Sequence, residues 1–403
     1  MRTCTLVYSF YEEDSRVLRY TEALAERGDH VDVIALHRPG SSNYEVINGV
    51  HVYRIQGRRI DEKGKFSYLT RILRFLLKSA WWVSRLEAEG HYDLIHVHSV
   101  PDFEVFAALI PKLFGAKIIL DIHDIVPEFY ASKFSNGRRG GVFNLLVTAE
   151  RLSISFCDHV IISNDIWKTK LEGRSVKPSD CTSIINYPDG SIFYKRPRTR
   201  DDGRFIMIYP GTLNWHQGLD IALRAFSLIK DQLPHAFFFI YGEGPTRAEL
   251  ERQIGDLNLS GRVVIKSTIP LRQIAEIIAD ADVGIIPKRN DSFGGEAFST
   301  KTLEFMASGV PVIVSRTRVD RYYFNDSLVR FFEPENEADL AEGMLELALN
   351  RRARDTLARN GYEFACRNSW EVKKGMYLDL ADSLILGGKQ RSQQAHAPGT
   401  SLG

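Results

Sequence analysis

Two glutamates, Glu296 and Glu304, flank a helical run in "GGEAFSTKTLEFMASGVPVI", the stretch from Gly294 to Ile313. A helix beginning near Ser299 or Thr300 exposes backbone N–H groups in its first turn, and such groups bind a diphosphate. Lys301 falls in that first turn, where the helix dipole disfavours a cation. A bound diphosphate would offset that penalty. Glu304 lies one turn deeper, where a carboxylate can accept two hydrogen bonds from a ribose diol. Glu296 precedes the helix and can reach a group attached beyond the phosphates. One carboxylate then reads the nucleoside end of a ligand and the other its far end. The plainer alternative is an exposed helix with scattered acids.

Glycines stand at comparable places upstream. "YPGTLNWHQG" sets Gly211 directly after a strand-like run, and "YGEGP" sets Gly242 and Gly244 after another. Glycine there permits positive φ and close approach of a ligand to the backbone. Each glycine alone reads equally well as a tight turn.

Positioning these residues requires alternating strands and helices, and the whole chain alternates. "CTLVYSF" reads as a strand, "SRVLRYTEALAERG" as a helix stopped by Gly28, and "HVDVIAL" as the next strand. "VINGVHVYRI" reads as a hairpin about its Asn-Gly pair. "YDLIHVHS", "AKIILDIHD" and "DHVIISN" are buried-type strands. The second half repeats the pattern through "FIMIYPG", "AFFFIYGEGP", "RVVIKS", "VGIIP" and "VPVIVS". Between the halves lies a linker rich in Pro, Asp, Gly and Arg, Ile185 to Arg204. The expectation is two doubly wound α/β domains facing a central cleft, with ligands beyond the carboxyl ends of the strands.

Composition narrows the class. A chain of 403 residues exceeds one ordinary core. Its 52 basic and 51 acidic residues leave a formal charge of +1, so no global field calls for nucleic acid. The four cysteines, Cys4, Cys157, Cys181 and Cys366, lie far apart, against a disulfide framework or a structural zinc site. The apolar run at the N-terminus is too short for a signal peptide, and no stretch reaches the length of a membrane span. A cytoplasmic chain is expected, peripheral at most on the inner face of the plasma membrane.

The series "YPGTLNWHQGLDIALRAF", "YGEGP", "ADVGIIP" and "EAFSTKTLEFMASGVPVI" resembles glycosyltransferase family four, bacterial polysaccharide-type enzymes of GT-B fold. The resemblance is strongest between about Arg204 and Ser315. It implies transfer of a sugar from a nucleotide-diphosphate sugar to a saccharide or polyprenyl-linked acceptor, with retention of anomeric configuration. It implies that Glu304 binds the ribose hydroxyls and that Glu296 contacts the donor sugar. Backbone amides at Phe298, Ser299 and Thr300 would hold the diphosphate, and Ser267 and Thr268 the base. No metal or other cofactor is implied, because amides and cations neutralise the leaving group. One departure stands out. The family usually places an Arg and a Lys in the stretch matching "GTLNWHQG", where this chain has Thr212 and Gln217. Lys301 is the candidate replacement, with Lys288 and Arg289 behind it.

The first half is expected to hold the acceptor. His123 and Asp124 in "IILDIHDIVPEF" follow a strand end, and the family has a comparable histidine near the donor sugar. His123 and Glu296 are therefore the catalytic candidates. "YEEDSRVLRY" replaces the Gly-rich first loop of many relatives, which makes Asp14, Arg16 and Arg19 an acceptor-side polar cluster. His96 and His98 read as structural, His98 being the closer to the cleft. The retaining step needs no enzyme nucleophile, since the departing diphosphate can take the acceptor's proton.

In "SYLTRILRFLLKSAWWVSRLEAEG", Leu69, Ile72, Leu76, Ala80 and Val83 share one helical face, with Arg71, Arg74, Lys78 and Arg85 nearly opposite. A core helix with a solvated basic face accounts for this. So does binding of residues 58–85 to an anionic membrane surface, helped by Arg58, Arg59, Lys63 and Lys65.

The expected boundaries are 1–190 for the acceptor domain and 191–370 for the nucleotide-sugar domain. A helix at 371–387 crosses back to the first domain, and 388–403 forms a disordered tail. Two rivals remain. One is a non-catalytic nucleotide-sugar-binding subunit supporting a partner transferase. The other, a nicotinamide-dependent oxidoreductase, lacks a G-x-G-x-x-G after the first strand.

Overall fold

The computed structural model describes residues 1–57, 65–134 and 140–395. The chain divides into two compact units, Met1–Ile185 with Lys374–Gly403, and Asn186–Lys373.

The first unit is built on eight strands: β1 (Arg2–Val7), β2 (His30–His37), β3 (Tyr44–Ile47), β4 (Val50–Gly57), β5 (Leu94–His98), β6 (Lys117–Ile122), β7 (His159–Ile162) and β8 (Cys181–Ser183). Their order is β3-β4-β2-β1-β5-β6-β7-β8. All neighbours run parallel except β3 and β4, which form the hairpin about Asn48 and Gly49, both at positive φ. β5 is buried at every position, as expected of a parallel sheet covered on both faces. The strand order reverses between β1 and β5, so the loops after these strands flank the crevice where such sheets take ligands.

The second unit holds β9 (Phe205–Pro210), β10 (Ala236–Tyr241), β11 (Val263–Lys266), β12 (Val283–Ile286), β13 (Val312–Ser315) and β14 (Arg330–Phe332). The order is β11-β10-β9-β12-β13-β14, parallel throughout. Its reversal lies between β9 and β12. The loop carrying Gly211 and the loop leading to Lys301 therefore leave the sheet side by side. The three-residue strands β8 and β14 are too short for a periodic signal and were not expected from the sequence.

The chain returns to the first unit through the helix Trp370–Ala395, which runs beyond the expected boundary at residue 387. Tyr377 on this helix is fully buried there, and Asp382 pairs with Arg27 at 2.9 Å. The end of the expected tail, 396–403, lies outside the described residues, as do Arg58, Arg59, Lys63 and the side chain of Lys65.

The helix Lys65–Glu89 packs a face rotated from the expected one, which keeps Ile72 and Val83 but not Leu69. Ile72, Phe75, Ser79, Val83 and Leu86 are buried, whereas Leu69, Leu73, Leu77 and Trp81 are exposed. Arg74 and Arg85 are exposed beside this apolar stripe. Lys78 instead folds back onto the carbonyl of Ile55 at 2.7 Å.

Candidate active site

In the second unit the expected residues gather at the carboxyl edge of the sheet. The loops after β9 and β10 are joined backbone to backbone, Gly211 N–H donating to Tyr241 O at 2.8 Å and Leu213 N–H to Glu243 O at 2.9 Å. A Cβ on Gly242 would strike the Gly211 carbonyl, and one on Gly244 the Leu213 backbone. Both glycines are thus demanded by loop packing itself. Ser267 and Thr268 follow β11 as exposed residues, next to Lys266, whose carbonyl accepts from Gly242 N–H at 2.9 Å.

The quoted helix spans Thr300–Ala307, with Ser299 at its N-cap. A serine there normally accepts a hydrogen bond from the first turn. Ser299 makes no such bond; its Oγ, like Thr302 Oγ1, is buried with no partner among the described residues. Phe298, by contrast, packs edge-on against Tyr323 with ring centroids 4.8 Å apart.

Lys301 occupies the space beneath Gly211. A Cβ on Gly211 would collide with Lys301 Cε, and Gly211 holds φ +146°. The ammonium lies 5.5 Å from the Tyr209 ring centroid and forms no ion pair among the described residues. Burial pushes its pKa down; Glu304 opposes that shift and the like charge of Lys288 adds to it. The other two cation candidates are engaged elsewhere. Lys288 pairs with the buried carboxylate of Asp320 at 2.8 Å and donates to Ala297 O. Arg289 grips both oxygens of Asp220 at 2.8 Å and lies over the Trp215 ring. Neither is available at the Gly211 turn, because each charge already has a fixed counter-charge. Thr212 is exposed in this turn, and its carbonyl accepts from Tyr209 Oη at 3.0 Å.

Glu296 is oriented by Arg318 Nη1 at 3.2 Å. Its loop is shaped by Asp291, which accepts from Phe293 and Gly294 N–H at 2.7 Å and contacts His216 Nδ1 at 2.6 Å. His216 and Asp291 thus tie the Gly211 loop to the Glu296 loop, a link that no local sequence pattern announces.

In the first unit the ends of β1, β5 and β6 bring together Asp14, Arg16, His96, His98, Asp121 and His123. Arg16 is a correction to the expected acceptor contacts. It is only 4% exposed, and its guanidinium is spent on Asp121, Nε to Oδ2 at 2.7 Å and Nη2 to Oδ1 at 2.8 Å, and on Ile184 O. Arg19 is likewise buried and bonds Ser15 O. Burial alone would raise the Asp121 pKa; the Arg16 guanidinium overrides it and holds the carboxyl well below its usual range. Asp14 caps the helix Ser15–Glu26 through Val17 N–H and accepts from Ser9 Oγ at 3.0 Å. Burial opposes its ionisation, but His123 and His98 hold its pKa down. Asp124 sits beside His123, and burial pushes its pKa up.

His98 Nδ1 lies 3.0 Å from His123 Nε2 and 3.4 Å from Asp121 Oδ2. His96 stacks on His98 with centroids 4.2 Å apart and meets Tyr377 Oη at 3.0 Å through Nδ1. Both rings are buried, and burial pushes both pKa values down. His96, His98 and Asp121 are close enough to ligate one metal ion. The fit is poor, because the Arg16 guanidinium already covers both Asp121 oxygens and would repel a cation.

No helix among the described residues is long and apolar enough to cross a membrane.

Comparison with known proteins identifies the family and the fold. Residues 14–186 match the family described as a glycosyl transferase 4-like domain, and residues 191–364 match glycosyl transferases group 1. The chain is 23% identical over 318 residues to a 2-deoxystreptamine N-acetyl-D-glucosaminyltransferase of Niallia circulans, covering 74% of this chain and 78% of that one. It is 23% identical over 398 residues to a D-inositol 3-phosphate glycosyltransferase of Thermomonospora curvata, covering 90% and 88%. Its fold matches that of Anabaena HepE in complex with UDP and glucose, with a TM-score of 0.71, 15% identity and coverage of 95% and 100%. With both halves matched in order and the GT-B fold in place, the chain belongs to the family-four glycosyltransferases.

Proposed function

We propose that the chain moves a sugar from a nucleoside-diphosphate sugar to a hydroxyl of a saccharide or lipid-linked acceptor, with retention of configuration and without a metal. The observation that carries this is Lys301. A half-buried lysine with no ion-pair partner among the described residues stands at a helix start, beside two buried, unpartnered hydroxyls, Ser299 Oγ and Thr302 Oγ1. Buried hydroxyls without partners and a partly desolvated charge without a counter-charge are costly, and a ligand would complete them. The chemistry fits a diphosphate, which would also receive the N–H groups of the first turn. The absence of cations at Thr212 and Gln217 favours the binding-subunit alternative; Lys301, which reaches the Gly211 turn from the helix Thr300–Ala307, is the candidate that supplies one.

Glu304 then binds the ribose, Ser267 and Thr268 border the base, and Glu296 contacts the sugar. The bond from the anomeric carbon to the diphosphate oxygen breaks as the acceptor oxygen bonds to that carbon. The acceptor's proton passes to the departing diphosphate on the same face. His123 donates a hydrogen bond to the sugar. That UDP occupies HepE, a protein of the same fold, makes UDP-sugars the first donors to try.

The apolar stripe Leu69, Leu73, Leu77 and Trp81, flanked by Arg74 and Arg85, suits an anionic lipid surface, where a lipid-linked acceptor would reside.

The test is nucleotide release from UDP-, GDP- and ADP-sugars, with and without membrane lipid extract. Release from one donor, lost in Glu304→Ala, is expected. Glu296→Ala should abolish turnover while keeping nucleotide affinity. Binding of nucleotide with no release from any donor under any condition would favour the binding-subunit alternative.

A further inference from the structure

The environment of His98 determines which nitrogen of His123 is left to donate. The His98 ring is fully buried, and burial favours the neutral form with a single proton. Its Nε2 is buried with no hydrogen-bond partner among the described residues. Two tautomers are to be compared. A proton on Nε2 would be a buried N–H without an acceptor, and the bare Nδ1 lone pair would then face the Asp121 carboxylate at 3.4 Å. Both features are unfavourable. A proton on Nδ1 is donated instead to His123 Nε2 at 3.0 Å, with Asp121 alongside. Asp121 cannot turn away or take up the proton, because Arg16 fixes both its oxygens. Asp121 Oδ2 also faces His123 Nε2, but at 3.7 Å against 3.4 Å to His98 Nδ1, so the carboxylate favours the shared proton on the His98 side. Asp14 is a capping carboxylate, and His96 has its Nδ1 occupied by Tyr377.

His123 Nε2 is therefore an acceptor, and a neutral His123 must carry its proton on Nδ1. The Nδ1 atom makes no hydrogen bond among the described residues, and the His123 side chain keeps 24% exposure. We propose that His98, through its Nδ1–H and the Arg16–Asp121 clamp, is a positioning residue that fixes neutral His123 as the Nδ1–H tautomer. His123 then offers the transferring sugar a donor in place of an acceptor. Only this last consequence rests on the transfer function; the tautomer itself does not.

The experiment is a two-bond 1H–15N correlation spectrum of histidine-labelled protein at a pH where the ring is neutral, with His123→Gln assigning the signal. A protonated Nδ1 and a bare Nε2 are expected for His123; a protonated Nε2 overturns the proposal. His98→Asn places an amide N–H near the position of Nδ1 and should preserve both the spectrum and the turnover. His98→Leu removes the donor. It should move the His123 proton to Nε2 and lower kcat about tenfold, with nucleotide affinity unchanged. An unchanged His123 tautomer in folded His98→Leu also overturns the proposal. Should that variant fail to fold, the wild-type spectrum and His98→Asn still decide. If the tautomer is as expected but no nucleotide sugar is turned over, the transfer function fails while the positioning role stands.

Discussion

Replacing Lys301 by Met separates its charge from its volume. The free protein already holds the Lys301 ammonium partly desolvated and without an ion-pair partner among the described residues, so only part of its desolvation remains when a diphosphate arrives. Two unit charges about 4 Å apart attract by about 4 kcal/mol at an effective dielectric of about 20. Stripping water from the phosphate oxygens offsets part of this. A net loss of about 3 kcal/mol is expected in Lys301→Met, a Kd for nucleoside diphosphate weaker by roughly a hundredfold or more. Isothermal titration with whichever of UDP, GDP and ADP binds the wild type gives the number. The pH dependence adds a second signature. Between the lowered pKa of Lys301 in the folded chain and its ordinary value, the unfolded chain binds more protons, so stability of the free protein rises with pH in that window. Nucleotide favours the charged form, so affinity falls with rising pH over the same window. Lys301→Met should remove both slopes and leave the free protein no less stable. A variant that binds nucleotide within about threefold of wild type, with the pH slope intact, would falsify the assignment of this cation to the diphosphate.

Gly211→Ala should reproduce much of the Lys301→Met binding defect by titration, because the added Cβ displaces Lys301 Cε and strains a backbone at φ +146°. Arg16→Met strands the buried Asp121 carboxylate, so a loss of about 3–5 kcal/mol is expected as a lower Tm on calorimetry. Lys288→Met strands Asp320 in the same way, and it should cost stability well before it costs nucleotide affinity. Leu73→Glu combined with Leu77→Glu should shift stability by no more than about 0.5 kcal/mol, these side chains being exposed. The pair should reduce co-sedimentation with anionic vesicles severalfold; full retention of vesicle binding would remove the stripe as a lipid contact.

Local chemistry wrote the second unit plainly into the sequence. The helix start at Ser299, the turn at Gly211 and five of the six parallel strands each follow from a few adjacent residues. Tertiary pairing was not legible. Nothing local marks Asp121 as the partner of Arg16, Asp320 as that of Lys288, or Asp220 as that of Arg289. Of the three cations the sequence offered for the diphosphate, long-range contacts thus fix Lys288 and Arg289 elsewhere and leave Lys301. The helix Lys65–Glu89 misled for another reason. Apolar residues occupy most of its circumference, so periodicity alone does not decide whether Leu69, Leu76 and Ala80 or Phe75 and Leu86 join Ile72 and Val83 on the buried face.

Tyr377 places a residue from the far end of the chain against His96, in the floor of the unit that begins at Met1. A fragment ending near Ile185 would therefore open a hole beside β5 and expose two buried histidines to water. Chimeras that exchange first units between relatives must carry residues from 374 onward as part of the exchanged unit. Cutting at the linker alone would graft a first unit that lacks one of its own walls.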